Sequence, residues 1–279
     1  MAKQLGLLII FLTVTTFSFA QDSNVKIEHE KQSTASKQVS TFIIEAPQLK
    51  TTKKIWLYLP KNYANSTKKF PVIYMHDAQN LFDAKTSYLG EWNIDEKLDS
   101  LNAEVIVVGI EHGNEKRFDE LTPYKNPKYG GGNEDKYLDF IVTALKPEID
   151  KKYRTKPTAK NTTIMGSSLG GLASFYAVIK YPEIFGKAGV FSPSFWYSNE
   201  IYTYMEKSKK NKTKIYFLCG DKETNDNSMV LNLNKMEYLL NKNRCYCLNL
   251  NKKKIVKNGK HNEKLWRDGF VDAITWLGY

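Results

Sequence analysis

The sequence predicts an α/β fold in which a mostly parallel central sheet carries helices on both faces. Three observations predict it. Almost wholly apolar runs at 71–75 and 105–110 are what strands covered on both faces require. Stretches of helical periodicity separate the strand-like runs along the chain, and that alternation is the pattern of a parallel sheet. At 161–181 a short apolar strand, a glycine-serine corner and a helix follow one another without a break.

The first twenty residues stand apart from this pattern. Lys3 precedes an apolar run from Leu5 to Phe19, and Ser18-Phe19-Ala20 is a small-x-small cleavage pattern before Gln21. The run is short for a membrane span and a long polar stretch follows it. Residues 1–20 are therefore expected to be a cleaved export signal, with no stable membrane insertion afterwards and a periplasmic or secreted mature chain. Residues 21–40 are polar and aperiodic, as a loose arm would be. One domain is expected over 41–279, since no repeat, linker or composition break divides it.

Within that domain, 41–45 reads as extended and 54–60 alternates like a half-buried strand. The apolar strands at 71–75 and 105–110 follow, with helical patterns at about 94–101 and 136–153. After the strand 161–165 comes a helix over 169–181, with Leu172, Phe175, Val178 and Ile179 at helical spacing. Strand-like runs return at 188–191 and 214–219, and helices at about 229–240 and 265–276.

The formal net charge of +11 raises the question of nucleic acid. The lysines are scattered, with runs only from Lys207 to Lys214 and from Lys252 to Lys260, and no aromatic-interleaved basic motif accompanies them. A solvated basic surface is expected and no nucleic-acid partner. Three cysteines are too few for a disulfide framework. Cys219 falls in an apolar strand, and Cys245 and Cys247 alternate along another strand-like stretch, so packed thiols are expected.

The chemistry centres on Gly166-Ser167-Ser168-Leu169-Gly170-Gly171, which matches G-x-S-x-G. This turn sets a nucleophilic serine at a sharp strand-to-helix corner, where glycines permit strand and helix to approach. The plainer reading is a glycine-softened helix start with Ser167 or Ser168 as its cap. A serine hydroxyl needs a base, and the base needs an orienting carboxylate. In this kind of site the chain order is nucleophile, acid, histidine. Of the four histidines, only His261 follows Ser168. It lies in a polar loop that opens the last helix. The acid belongs on the loop after strand 214–219, where Asp221 and Glu223 both stand, and spacing does not choose between them. Two backbone N–H groups must hold an oxyanion. Leu169 supplies one, and the loop Met75-His76-Asp77-Ala78-Gln79-Asn80-Leu81-Phe82 the other. His76 and Asp77 have no third ligand at recognisable spacing, so no metal set is expected.

Residues 40–279 resemble the putative esterase family of the α/β-hydrolase superfamily, which includes feruloyl and acetylxylan esterases, siderophore esterases and S-formylglutathione hydrolases. The resemblance rests on His76-Asp77-Ala78-Gln79-Asn80-Leu81-Phe82-Asp83, Gly90-Glu91-Trp92, Arg117 with Glu120-Leu121-Thr122-Pro123, and the serine motif. Phe191-Ser192-Pro193-Ser194-Phe195-Trp196 and His261 with Trp266 and Arg267 complete it. It implies an α/β-hydrolase fold and a cofactor-free serine esterase. It favours Glu223 over Asp221, because the family's acid sits three residues after the glycine that ends its strand. Ala78 stands where similar sequences have glycine, so either Ala78 or Gln79 donates the second oxyanion N–H. Trp196, Asn80 and Arg117 are implied to meet substrate, and Arg117, Tyr124 and Tyr129-Gly130-Gly131-Gly132 to form a rim. The expected substrates are small-molecule or carbohydrate-linked esters: acyl or feruloyl esters of polysaccharide, or a siderophore trilactone. Arg117 and the basic surface suit an anionic one. The same residues would serve acyl transfer to an alcohol, and a surface binding protein that had lost the chemistry is the reading outside enzymes.

Overall fold

The computed structural model describes residues 32–243 and 249–279. The expected signal segment, most of the expected arm, and Cys245 and Cys247 lie outside the described residues. Eight strands form one sheet in the order β1-β2-β4-β3-β5-β6-β7-β8. They are β1 (Val39–Ala46), β2 (Thr51–Tyr58), β3 (Val72–Met75), β4 (Ile106–Ile110), β5 (Thr162–Ser167), β6 (Lys187–Phe191), β7 (Lys214–Gly220) and β8 (Asn251–Val256). The β1–β2 and β2–β4 pairings are antiparallel and the other five are parallel. This is the α/β-hydrolase arrangement.

The helices are α1 (Ile94–Leu101), α2 (Arg117–Glu120), α3 (Glu134–Phe140), α4 (Lys146–Lys152), α5 (Leu169–Lys180), α6 (Glu200–Lys207), α7 (Ser228–Lys242) and α8 (Glu263–Leu277). Side chains of the central strands alternate between two apolar clusters. Val72 and Tyr74 of β3 face α3, α5 and α7, whereas Ile73 and Met75 face α1 and α8. That explains why 71–75 is apolar throughout: both faces of the strand are covered.

Four features differ from the sequence reading. The single helix expected over 136–153 is α3 and α4 joined by a wide π turn at Ile141–Leu145, just before Pro147. Proline has no N–H to donate back along a helix, and a π turn is one way to accommodate that. β8 falls in the basic run that read as solvated surface. Its lysines alternate: Lys252 and Lys254 reach Asp272, while Lys253 reaches Asn234 and Glu237. Lysines along an edge strand discourage pairing with another chain. α6 had no counterpart in the pattern. Finally, Ser33, Thr34 and Ser36 are fastened to Asp83, Glu91 and Asp95, and β1 begins at Val39, so the described part of the expected arm is held to the domain.

Strands β3, β5, β6 and β7 all end at the same edge of the sheet, the edge where ligands bind in open α/β folds. There the end of β7 presses on the loop before α8. A Cβ on Gly220 would lie 2.2 Å from the Gly259 carbonyl oxygen. Two backbone bonds hold the contact, Asp221 N–H to Val256 O and Lys222 N–H to Gly259 O. Gly220→Ala is therefore expected to destabilise the fold by about 1–3 kcal/mol. Urea unfolding of variant and wild type measures it; equal midpoints would show that the loop moves aside freely.

Candidate active site

The sharp corner predicted at Gly166–Gly171 is present. Ser168 stands between the end of β5 and the start of α5 with φ 57° and ψ −118°, a backbone conformation uncommon for any residue other than glycine. Its N–H donates to Phe191 O at 2.9 Å, and its carbonyl accepts from Ser194 N–H at 3.0 Å. Glycine is required before the serine, and the space after it is tight. A Cβ on Gly166 would sit 2.8 Å from the Gly170 backbone, and one on Gly170 would lie 3.1 Å from His76 Cβ. Ser167 is the last residue of β5 and buried, and neither serine caps α5 through its side chain.

Glu223 and His261 are brought together from segments 38 residues apart: His261 Nδ1 meets Glu223 Oε2 at 2.7 Å. The Glu223 side chain is completely buried. Its other oxygen accepts from Gly220 N–H at 2.6 Å and from Ser192 Oγ at 2.7 Å. Ser192 in turn accepts from Trp266 Nε1 at 2.8 Å, and the Trp266 ring stands edge-on to His261 at 5.0 Å and 89°. Asp221 is occupied elsewhere: its Oδ1 accepts from Asn258 N–H at 2.6 Å, which shapes the loop leading to His261. Of the two carboxylates that spacing left open, only Glu223 touches the histidine.

The Ser168 hydroxyl lies 3.4 Å from Ser194 Oγ and makes no hydrogen bond to His261. The Glu223 bond to Nδ1 leaves Nε2 as the nitrogen free to face a serine. Catalytic hydrogen bonds are often loose before substrate binds.

Leu169 opens α5, and the first amides of a helix have no acceptor within it. Ala78 and Gln79 open a short 3-10 turn that follows Asp77, itself at φ 56°. Ala78 is buried against Gly109, whereas Gln79 lines the cavity beside Ser168. The Gln79 side chain is fixed on both ends, donating to His112 O at 3.1 Å and accepting from His112 N–H at 3.3 Å.

That cavity measures about 620 Å³ and is walled by Asp77, Gln79, Asn80, Arg117, Glu263 and Trp266 among others. Asn80 points its Oδ1 at the Tyr88 amide, 3.0 Å away. Arg117 lines the cavity, but its fork is committed to Asp77, with Nε to Oδ1 at 2.7 Å and Nη2 to Oδ2 at 2.8 Å. Burial by itself would raise the Asp77 carboxyl. The guanidinium outweighs it by charge and hydrogen bonds and holds the group below its ordinary value. His76, beneath the corner, is pushed down to about 4 by complete burial, and its Nδ1 meets Tyr137 Oη at 2.8 Å. It is a neutral core histidine. Trp196 is 50% exposed and lies outside the cavity wall, edge-on to Tyr129. The loop expected to form a rim is pinned, with Asn126 and Gly130 exchanging backbone bonds and Tyr197 Oη donating to Gly130 O. Tyr124 packs instead against Tyr176.

The sequence reading assigned no role to Ser192. It lies inside the Phe191–Trp196 segment, and its only further mark is a backbone φ of 44°, which sequence does not display.

A family profile described as Putative esterase matches residues 46–277. An uncharacterised protein of Bacillus subtilis, YbbA, is 27% identical over 241 residues, covering 81% of this chain and 92% of its own length. An endo-1,4-beta-xylanase/feruloyl esterase of Xylanibacter ruminicola is 25% identical over 177 residues, 60% of this chain and 22% of that protein. Among solved structures, the enterobactin esterase of Shigella flexneri superposes with a TM-score of 0.68 at 15% identity, covering 88% of this chain and 60% of that one.

Removing Arg117 would leave the Asp77 carboxylate buried and unpaired. Arg117→Met is expected to destabilise the protein by about 3–5 kcal/mol at neutral pH. The sign with pH follows from the depressed Asp77 value. Stability from the pair is complete above the ordinary carboxylate range and is lost as pH falls through the folded value. In the variant, acid would instead protonate and relieve the unpaired group. Thermal unfolding of both proteins should therefore differ more at pH 7 than at pH 3–4, and a difference independent of pH would refute the pairing.

Proposed function

Because the chain belongs to the putative esterase family, we propose that it is an exported serine esterase acting through an acyl-enzyme. The bond between His261 Nδ1 and the buried Glu223, at the sheet edge that carries Ser168, is the observation behind this reading. A histidine held by a carboxylate in one tautomer presents its other nitrogen as a base. Ser168 Oγ attacks the ester carbonyl while its proton passes to His261 Nε2. Glu223 stabilises the imidazolium that results. The oxyanion lies against N–H groups of Leu169 and of Gln79 or Ala78, at the starts of two turns whose opening amides lack helical acceptors. Collapse of the tetrahedral intermediate expels the alkoxide, which takes the proton from His261. Water, deprotonated by His261, then attacks the acyl-enzyme and frees the acid and Ser168. No step requires a cofactor.

The cavity supports a substrate of moderate size with polar substituents. Its one guanidinium is neutralised by Asp77, so the expected preference for an anionic substrate loses its main support. Asn80, Thr86, Ser87 and Tyr88 along the wall offer neutral polar groups instead. Hydroxylated acyl groups suit such a wall, whether feruloyl esters of polysaccharide or the aryl-bearing trilactone of a siderophore. The names of the feruloyl and enterobactin esterases above point the same way. Export rests on the apolar run at Leu5 to Phe19. No helix among the described residues is long and apolar enough to cross a membrane.

Hydrolysis of p-nitrophenyl acetate by purified wild type and Ser168→Ala tests the mechanism. The variant should lose activity by about 10,000-fold or more while keeping the wild-type circular dichroism spectrum. Undiminished turnover would remove Ser168 from the mechanism. Glu223→Gln and Asp221→Asn, measured side by side, test the acid. A loss of about 1,000-fold or more is expected for Glu223→Gln, and less than about tenfold for Asp221→Asn, which acts only through the Asn258 turn. The reverse order would transfer the role to Asp221.

A further inference from the structure

Beside the cavity wall, at the start of α1, three carboxylates converge. Glu91, Asp95 and Glu96 each bring one oxygen to within 4.8 Å of the others. Asp95 is fully buried and Glu91 is 6% exposed. One oxygen of each residue is already occupied. Thr34 Oγ1 donates to Glu91 Oε2 at 2.9 Å, Ser36 N–H to Asp95 Oδ2 at 2.7 Å, and Asn93 Nδ2 to Glu96 Oε1 at 3.3 Å. The second oxygens, Glu91 Oε1, Asp95 Oδ1 and Glu96 Oε2, are buried and receive no hydrogen bond from a donor group among the described residues. Asp95 and Glu96 stand close enough to share a proton, and burial with that contact pushes the Asp95 carboxyl up to about 7. Among the described residues no lysine or arginine pairs with any of the three carboxylates. Arg267 approaches but spends Nη1 on the Glu91 carbonyl and on Asn93 Oδ1.

Buried carboxylates are normally paired, hydrogen-bonded or coordinated to a metal, and like charges held together need positive charge between them. We propose that Glu91, Asp95 and Glu96 form a binding site for one calcium ion. The donor set is oxygen alone, which selects hard cations. Oxygens that share one calcium at 2.3–2.6 Å lie up to about 5 Å apart, the spacing found here. Water completes the shell.

The site is structural and adds no step to the chemistry. Its position gives it leverage nonetheless. Thr34 and Ser36, bonded to two of the carboxylates, lie on the segment that leads into β1. Trp92, next to Glu91, stacks on Phe191 at 5.6 Å and leans on Trp266, which lines the reaction cavity. An ion here would clamp the N-terminal segment, α1 and the cavity wall together.

The experiment uses the purified chain, stripped with EDTA. Calcium is added while heat and thermal unfolding are followed. In parallel, terbium is titrated with luminescence excited through tryptophan, since Trp92 adjoins the site. One ion per chain is expected, with a dissociation constant between about 10⁻⁶ and 10⁻³ M. The melting temperature should rise with calcium, and less with magnesium at the same concentration. Asp95→Asn should weaken binding at least about tenfold; Glu91→Gln, which changes a less buried group, decides the matter if Asp95→Asn does not fold. Wild type that shows no heat, no terbium signal and no melting response overturns the proposal. So does binding that both substitutions leave unchanged. Stabilisation by Asp95→Asn in a protein that never responds to calcium also overturns it, and assigns a shared proton to the cluster.

Discussion

The side chain of Glu223 is entirely out of water at the end of β7, and a buried carboxylate has to be surrounded by donors. It has three, and each comes from a different place: Gly220 N–H from its own strand, Ser192 Oγ from the end of β6, and His261 Nδ1 from the loop before α8. Satisfying that one group determines much of the surrounding geometry. Gly220, whose amide serves Glu223, also lies in close contact with Gly259, at a distance no side chain permits. Ser192 is held by Trp266 from its other side, and Trp266 sets its edge against His261. Strand ends, terminal helix and histidine loop are thus joined through a single charge.

The opposite wall of the cavity has a second buried charge, compensated differently. Asp77 is fixed by the two-pronged Arg117 contact, and the residue after it begins the turn that carries Ala78 and Gln79. A bidentate pair fixes orientation as well as charge. The guanidinium that looks in sequence like a hook for an anionic substrate is in the structure a support for the loop that follows β3. A lone arginine in a chain does not reveal which carboxylate it will face across 40 residues.

That contrast explains what was legible beforehand and what was not. Strands β3, β4, β5, β6 and β7 show as apolar runs because helices cover both their faces, and burial leaves a mark on composition. α1, α5, α7 and α8 show as periodic stretches, and Ser168 as a glycine-flanked corner. β8 escaped because its lysines bond in alternation to acids on both sides, which leaves no apolar pattern. The contact between Glu223 and His261 was legible only as a family resemblance, since Asp221 lies nearer the strand end than Glu223 and spacing does not choose between them. Ser192, the Arg117–Asp77 pair and the cluster of Glu91, Asp95 and Glu96 all depend on contacts distant in sequence. Asp95 and Glu96 alone look like ordinary acids in the first turn of a helix.

Backbone strain adds a last argument about Ser168. Asp77, Ser168 and Ser192 end or follow three neighbouring strands, β3, β5 and β6, and all three have positive φ: 56°, 57° and 44°. Such conformations are costly for residues other than glycine and persist only where the surroundings enforce them. For two of the three the side chain supplies a compensating contact. Asp77 is locked to Arg117, and Ser192 bridges Trp266 and Glu223. Ser168 has no comparable anchor: its hydroxyl finds only Ser194, at 3.4 Å, and it faces the cavity. Its strain is held by backbone bonds to Phe191, Ser194 and Leu172. A strained residue whose side chain is left free to face the cavity is what the proposed nucleophilic role of Ser168 requires.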